Sequence, residues 1–134
     1  MTLVDTNVLI DILSYDPAWF EWSAASLEWR GRHGSMFIND IIFAELSVRM
    51  ASAAEVEQAL GELNVKLART PTQALFSAGK AYGRYRAAGG SRTGVLPDFF
   101  IGAHAEITQW PILTRDAGRY RTYFPDVDLI APNL

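Results

Sequence analysis

Short apolar runs alternate with longer amphipathic segments along this chain. The apolar runs predict β-strands at 2–4, 36–38, 65–68, 111–114 and 128–130. The segments between them repeat apolar residues at the spacing of a helix face, which predicts helices at about 6–13, 17–32, 41–48, 53–63, 71–88 and 97–107. Strands that alternate with helices, without an Asn-Gly hairpin signal, favour an α/β domain with a short-stranded parallel sheet flanked by helices.

Breaker and capping residues set the limits of these elements. Pro17 suits an early position of the second helix. Either Asn39 or Asp40 can cap the third helix, and Gly89 with Gly90 ends the long fifth one. The glycine-bounded stretch 90–94 is predicted to be a loop.

Composition narrows the classes of protein that the chain can belong to. Its 134 residues suit a single domain, 1–134, and nearly half of them are apolar. The absence of cysteine excludes a disulfide framework, a thiolate zinc site and a cysteine nucleophile. We find neither a signal-peptide pattern nor an apolar run long enough to span a membrane, so we expect a soluble, cytoplasmic protein without a membrane partner.

Positive charge is concentrated in two segments although the net charge is −3. One segment runs from Lys80 to Arg92 and the other surrounds Asp116. Basic residues beside an acidic site would suit a polyanionic substrate, whereas ordinary solvated helix surface is the simpler interpretation of any single arginine. The candidates for phosphate contacts are Arg84, Arg86, Arg92 and Arg119.

Four acidic residues lie where predicted strands and helices meet: Asp5, Glu45, Asp98 and Asp116. Taken singly, each has an ordinary structural explanation. Asp5 could cap a helix, Asp98 could stabilise a helix dipole, and Asp116 could pair with Arg115 or Arg119. Glu45 lies in an otherwise apolar helix, where an unpaired buried carboxylate would be costly.

Together the four acids indicate a metal site. Side chains at the carboxyl ends of parallel strands meet at one edge of a sheet, and the acids would therefore converge. Two carboxylates about 4 Å apart repel by roughly 4 kcal/mol at an effective dielectric constant near 20. A hard divalent cation relieves that repulsion, because such ions prefer oxygen ligands.

The order of these acids resembles that of the PIN-domain nucleases, in particular the compact VapC-type toxins of toxin–antitoxin pairs. The resemblance covers essentially the whole chain. Its motifs are Val4-Asp5-Thr6-Asn7, Phe43-Ala44-Glu45-Leu46, Leu96-Pro97-Asp98 with Ile101-Gly102-Ala103-His104-Ala105, and Thr114-Arg115-Asp116. The resemblance implies a three-layer α/β fold and a Mg²⁺- or Mn²⁺-dependent endoribonuclease that leaves 3′-hydroxyl and 5′-phosphate ends.

Carried over by position, the resemblance makes Asp5, Glu45, Asp98 and Asp116 the metal-site acids, with Asn7 and Thr114 as supporting residues. It also implies an RNA substrate, a cognate antitoxin and a homodimer. Glu45 or Asp116 would accept the proton of the attacking water. The chain departs from the family pattern at Gly102, where alanine is frequent, and at the bulky pair Phe99-Phe100, and both departures could reshape the pocket rim.

Other functions remain open at this stage. A DNA-directed or RNA-processing PIN nuclease would carry the same motifs, and an inert PIN-like binding module is a further alternative. An aspartyl-phosphate phosphatase needs a second aspartate two residues after the first, where this chain has Asn7. His33 and His104 have no second histidine at the spacing of zinc ligands.

Aromatic residues recur at helical spacing in the second predicted helix: Trp19, Trp22 and Trp29, with Phe20 and Leu27 on an adjacent face. Packing in the core is the simpler interpretation. One helix rarely buries both faces, however, so part of this surface could bind a partner protein.

Overall fold

A computed structural model describes residues 1–92 and 94–132 of the chain. Thr93, which belongs to the predicted loop 90–94, lies outside the described residues, as do positions 133 and 134. The described part contains five strands: β1 Thr2–Val4, β2 Met36–Ile38, β3 Val65–Leu67, β4 Ile112–Leu113 and β5 Leu129–Ile130.

All pairings in the sheet are parallel, and the strand order is β3-β2-β1-β4-β5. The order of strands along the chain reverses between β1 and β4, where the crossover connections diverge. Such switch points leave a crevice at the carboxyl ends of the strands. This position therefore favours a ligand site between β1 and β4.

Seven helices flank the sheet in the part of the chain that is described, which gives the predicted three-layer α/β fold. They are α1 Thr6–Leu13, α2 Phe20–His33, α3 Asp40–Ser47, α4 Ala53–Glu62, α5 Thr72–Ala87, α6 Leu96–Thr108 and α7 Gly118–Arg121.

One helix prediction needs correction, and one short helix was not predicted. Helix α2 begins at Phe20 rather than Pro17, because Asp16 Oδ1 accepts hydrogen bonds from the backbone N–H groups of Ala18 and Trp19, both at 2.9 Å. These bonds hold the residues before Phe20 in a turn. The short helix α7 was not predicted, since four residues are too few to establish a helical repeat.

Helix α6 is buried along much of its length. Ile101, Gly102, Ala103, His104 and Ala105 are all buried. A buried helix shows no clear polar face, so its pattern is continuous rather than amphipathic. Burial on several sides fixes the position of its first turn, which contains Asp98.

The aromatic residues of α2 are divided between the core and the surface. Trp22 packs against the core, next to the buried aliphatic residue Leu27, which agrees with the simpler interpretation. That interpretation is wrong for Trp29, which is 48% exposed and stacks on His33 at 3.9 Å between ring centroids. Trp29 is therefore available to a partner.

Among residues 1–92 and 94–132, we find no helix that combines the length and the apolar character needed to cross a membrane.

Candidate metal-binding active site

The carboxyl ends of β1 and β4 bring two predicted site residues together. Val4 pairs with Leu113, so the next residues along the two strands, Asp5 and Thr114, are neighbours. The backbone N–H of Asp5 donates to the Leu113 carbonyl at 2.9 Å, which extends the ladder by one bond. Asp5 and Thr114 therefore lie at the switch point of the sheet.

Asp5 is buried, with 1% of its surface exposed, and hydrogen bonds hold its carboxylate. Its Oδ1 accepts from the Thr6 backbone N–H at 2.8 Å. Its Oδ2 accepts from the hydroxyls of Thr114 and Tyr120, each at 2.8 Å. Burial raises the pKa of Asp5, while these donors and Arg119 lower it. The pKa is raised overall because burial disfavours the charged form of the carboxyl group.

Asn7 connects Asp5 to the loop that follows β4. Its Nδ2 lies 3.3 Å from Thr114 Oγ1 and 3.5 Å from Asp5 Oδ2. Its Oδ1 accepts from the backbone N–H of Arg115 at 3.3 Å. These contacts suit the supporting role predicted for Asn7 and Thr114, although that role itself stays a prediction.

Glu45 reaches the same region from α3, whose N-terminus is capped by Asn39 through a 3.0 Å bond to the Ile42 backbone N–H. The Thr6 hydroxyl donates to Glu45 Oε1 at 2.6 Å. Burial raises the pKa of the half-buried Glu45, and the charge of Asp5 adds to the effect. The contact with Thr6 lowers that pKa and fixes the side chain beside Asp5.

Asp98 lies in the first turn of α6. Its pKa is raised to about 6, first by burial, while Arg119 lowers it and the charges of Asp5, Glu45 and Asp116 raise it. The four predicted acids are therefore close enough to interact electrostatically. Glu45, Asp98 and Asp116 line one pocket, and the buried Asp5 lies behind them at the end of β1.

Asp116 is half-exposed and pairs with Arg119, whose Nε lies 2.9 Å from Asp116 Oδ2. Arg119 Nη1 also lies 3.7 Å from Asp98 Oδ1. Arg115, the other partner considered for Asp116, instead forms a bidentate pair with Asp11 at 2.8 and 3.1 Å. The Asp11–Arg115 pair ties α1 to the loop that contains Thr114 and Asp116.

The side chains of these elements enclose a polar pocket of about 350 Å³. Its lining residues are Glu45, Arg92, Gly94, Val95, Asp98, Asp116, Gly118 and Arg119. Arg92 and Arg119 are thus at the pocket, whereas Arg84 and Arg86 are exposed on α5 and are not lining residues.

The two departures from the family pattern do not shape this pocket. Phe99 is buried in an aromatic cluster, and Gly102 faces Phe124. A Cβ atom at residue 102 would lie 2.3 Å from the Phe124 ring. Within the described residues, Phe99, Phe100 and Gly102 are absent from the lining, so the expected effect on the pocket rim is not seen.

The donor set fits a hydrated divalent cation. In the described part of the chain, no three acidic or histidine side chains are close enough to hold an ion jointly in this conformation. Mg²⁺ does not require such a cage, because it keeps several waters and commonly binds one or two carboxylates. Arg119, between Asp98 and Asp116, supplies positive charge to the pocket.

Two residues of the site were missed from the sequence. Thr6 is polar and follows Asp5 directly, but nothing in the chain pattern assigns its hydroxyl to Glu45. Tyr120 lies four residues after Asp116 in the unpredicted helix α7. Recognising that helix would have placed a buried aromatic hydroxyl near the carboxyl ends of the strands.

The fold and the pocket define an α/β domain with interacting carboxylates at the switch point of a parallel sheet. A family model described as "PIN domain" matches residues 2–125. The chain belongs to the PIN-domain family, as its motifs predicted. No curated protein sequence matched the chain.

Solved structures of low sequence identity share this fold. VapBC2 from Rickettsia felis, bound to a promoter DNA fragment, is 16% identical with a TM-score of 0.71, and the match covers 97% of each chain. VapBC-1 from nontypeable Haemophilus influenzae is also 16% identical with a TM-score of 0.71, covering 97% of this chain and 96% of that one. FitAcB from Neisseria gonorrhoeae is 20% identical with a TM-score of 0.65 and 98% coverage of both chains.

Proposed function

We propose that this protein is a divalent-metal-dependent endoribonuclease that acts as the toxin of a toxin–antitoxin pair. The observation that carries the proposal is the convergence of Asp5, Glu45, Asp98 and Asp116 at the switch point of a PIN-family sheet. Mg²⁺ is the expected ion, with Mn²⁺ as a substitute. The likeness to VapBC and FitAcB complexes supports the toxin assignment and a cognate antitoxin as partner.

A cation bound among these carboxylates would neutralise charge on the scissile phosphate and lower the pKa of an attacking water. Asp5 and Asp98 are the proposed principal ligands. Asp5 is fixed by three hydrogen bonds of 2.8 Å, and Asp98 lines the pocket from a buried helix. Rigid support of this kind keeps ligands in a productive geometry.

Glu45 is the better candidate for the proton acceptor. Asp116 is held in an ion pair with Arg119 at 2.9 Å, so its carboxylate already has a partner. Glu45 has a raised pKa, and Thr6 occupies only its Oε1. A carboxylate whose pKa lies nearer neutrality accepts a proton more readily, and the second oxygen of Glu45 can face the attacking water.

Arg92 and Arg119 provide the positive charge that a phosphodiester requires at the pocket. Contacts of this type position a nucleic acid without reading its sequence. Arg119 would exchange its carboxylate partners for the phosphate when substrate arrives. Arg84 and Arg86 are more distant candidates for the flanking backbone of the strand.

The Asp98→Asn variant tests the nuclease proposal. We expect Mg²⁺-dependent cleavage of single-stranded RNA by the wild type, suppressed by EDTA, and a loss of at least about 100-fold in Asp98→Asn because a ligand and its charge are removed. Asp126→Asn, which changes an exposed acid outside the pocket, is the matched control and should cleave normally.

Parallel assays on single-stranded DNA separate the alternatives. Cleavage of DNA alone would overturn the endoribonuclease proposal in favour of a DNA-directed nuclease. Cleavage of neither polymer, with no calorimetric signal on titration of Mn²⁺, would identify an inert PIN-like module.

The antitoxin proposal includes a candidate surface, the exposed face of α2 around Trp29. Arg30 lies over the Trp29 ring at 5.5 Å, so an accessible aromatic and a cation are side by side. Aromatic and arginine side chains are frequent anchors of protein interfaces. The expected homodimer and cytoplasmic location belong to the same proposal.

Co-expression with the protein encoded by the adjacent gene tests this surface. We expect the wild type to arrest growth alone and to be neutralised and co-purified with that partner. Trp29→Ala should keep the arrest but bind the partner about 10-fold or more weakly, as anchor residues do. Unchanged binding would exclude Trp29, and growth unaffected by the wild type would contradict the toxin assignment.

A further inference from the structure

Three of the four lone-pair directions of the Asp5 carboxylate are already used within the protein. A carboxylate offers about four such directions, two on each oxygen. The hydroxyls of Thr114 and Tyr120 take both directions on Oδ2 at 2.8 Å, where Asn7 Nδ2 makes a longer contact at 3.5 Å, and the Thr6 backbone N–H takes one direction on Oδ1. One direction, on Oδ1, is left for an external ligand.

The two hydroxyl protons are committed to Asp5. Thr114 Oγ1 accepts from the Asp116 backbone N–H at 3.0 Å and lies 3.3 Å from Asn7 Nδ2, so its single proton points at Asp5. Tyr120 is fully buried, and its hydroxyl bonds Asp5. A phenol has one proton to donate, and Asp5 Oδ2 is the acceptor that lies 2.8 Å from this hydroxyl.

The use of Oδ2 determines how Asp5 can bind a metal ion. Binding through both oxygens requires a free direction on each of them, and Oδ2 has none. Mg²⁺ takes ligands in near-ideal octahedral geometry, usually one oxygen per carboxylate, whereas Ca²⁺ accepts six to eight ligands and often binds carboxylates through both oxygens. A carboxylate restricted to one oxygen therefore favours the smaller ion.

We infer that the Tyr120 hydroxyl is a positioning group that restricts Asp5 to one-oxygen coordination and thereby selects Mg²⁺ over Ca²⁺. The inference rests on the proposed metal site and adds a determinant of ion choice to it. Tyr120 acts through Asp5 and needs no contact with the metal or the substrate.

The Tyr120→Phe variant tests this role, because it removes one oxygen and keeps the buried ring. Calorimetric titrations with Mg²⁺ and with Ca²⁺, in the absence of nucleic acid, give the ratio of the two affinities. We expect Mg²⁺ binding to weaken about 10-fold, as when other outer hydrogen bonds to metal ligands are removed. Ca²⁺ binding should stay equal or strengthen, so the Mg²⁺:Ca²⁺ ratio should fall about 10-fold or more.

Tyr123→Phe is the matched control. The Tyr123 ring packs against Phe99 and Tyr85, at 5.3 and 6.1 Å between centroids, and not against the acidic pocket. The Mg²⁺:Ca²⁺ affinity ratio of Tyr123→Phe should equal that of the wild type. Thr114→Val removes the other hydroxyl from Oδ2 and should shift the ratio in the same direction, which provides a second reading if Tyr120→Phe does not fold.

The outcomes separate this inference from the proposed function. If the wild type binds both ions and a folded Tyr120→Phe keeps the wild-type ratio, the selectivity role of Tyr120 is wrong while the metal site stands. Equal weakening of both ions would also overturn it, since a purely structural defect has no preference between them. Binding of neither ion by the wild type would overturn the metal site and this inference together.

Discussion

The first two turns of α6 contribute to two regions with opposite physical character. Asp98 enters the acidic pocket, where burial and like charges raise its pKa to about 6. Phe99, the next residue, lies in a cluster with Tyr82, Tyr85, Tyr123 and Phe124, with ring centroids 5.3–6.1 Å from Phe99. One region concentrates ionisable groups and the other concentrates apolar area.

The comparison shows that one group of side chains stabilises the fold and another prepares a binding site. Aromatic pairs add about 0.5–1.5 kcal/mol each beyond their area burial, so the cluster stabilises the fold. The pocket gathers carboxylates that repel in the absence of a cation, which lowers stability but prepares a site for one. The aromatic cluster holds α6 in place while Asp98 faces its neighbours.

The largest expected effect concerns the aromatic cluster. In Gly102→Ala, the new methyl group would lie 2.3–2.8 Å from three atoms of the Phe124 ring. We expect a loss of about 3 kcal/mol in the free energy of unfolding, measured by urea denaturation, because the ring must shift in a packed core. Gly79→Ala, where the added Cβ meets nothing within 4 Å, should instead stabilise the helix by up to about 1 kcal/mol.

A double-mutant cycle identifies the cause of this loss. In a Phe124→Leu background, Gly102→Ala should cost at least about 1 kcal/mol less than in the wild type, because the clashing ring atoms are gone. An equal cost in both backgrounds would show that the strain does not come from Phe124.

The sequence predicted the strands, most helix limits and the convergence of the acids for a common reason. Apolar periodicity and breaker residues are local signals, and the edge of a parallel sheet then determines where Asp5 and Thr114 meet. The contacts that tune the site are not local. Tyr120 bonds a residue 115 positions away, and Thr6 bonds Glu45 across 39 positions.

The non-local character of tertiary contacts also explains where the sequence-based expectations were wrong. Trp29 satisfies the helical spacing of a core residue, yet the surface that it occupies depends on how α2 packs. Arg115 follows Thr114 and precedes Asp116, but tertiary packing pairs it with Asp11 instead. Gly102 departs from the family pattern because Phe124 occupies the space of its Cβ atom, which no local motif indicates.

A smaller effect is expected in the acidic pocket. In Asp98→Asn, removal of one charge from the cluster should raise the free energy of unfolding of the metal-free protein by about 1–2 kcal/mol at pH 8. The full shift of the Asp98 pKa from 3.8 to about 6 corresponds to roughly 3 kcal/mol. Loss of the partner of Arg119 should offset part of that gain. Asp126→Asn should change stability by less than about 0.5 kcal/mol.

The stability difference between Asp98→Asn and the wild type should depend on pH if charge repulsion causes it, and should not if its cause is an unrelated packing effect. The folded-state pKa of Asp98 is raised, so the folded wild type binds more protons than the unfolded chain between pH 3.8 and about 6. The stability contributed by the protonated carboxyl is complete below pH 3.8 and is lost as pH rises through about 6. The advantage of Asp98→Asn should therefore be largest at pH 8 and shrink towards pH 4.5, measured by denaturation in EDTA.

Saturating Mg²⁺ should reverse the order of stability of the two proteins at pH 8, since bound metal stabilises only the form that retains its ligand. A stability difference that is constant from pH 4.5 to 8 would show that charge repulsion at Asp98 is not its cause. The acidic pocket would then not lower stability, and the contrast with the aromatic cluster would fail.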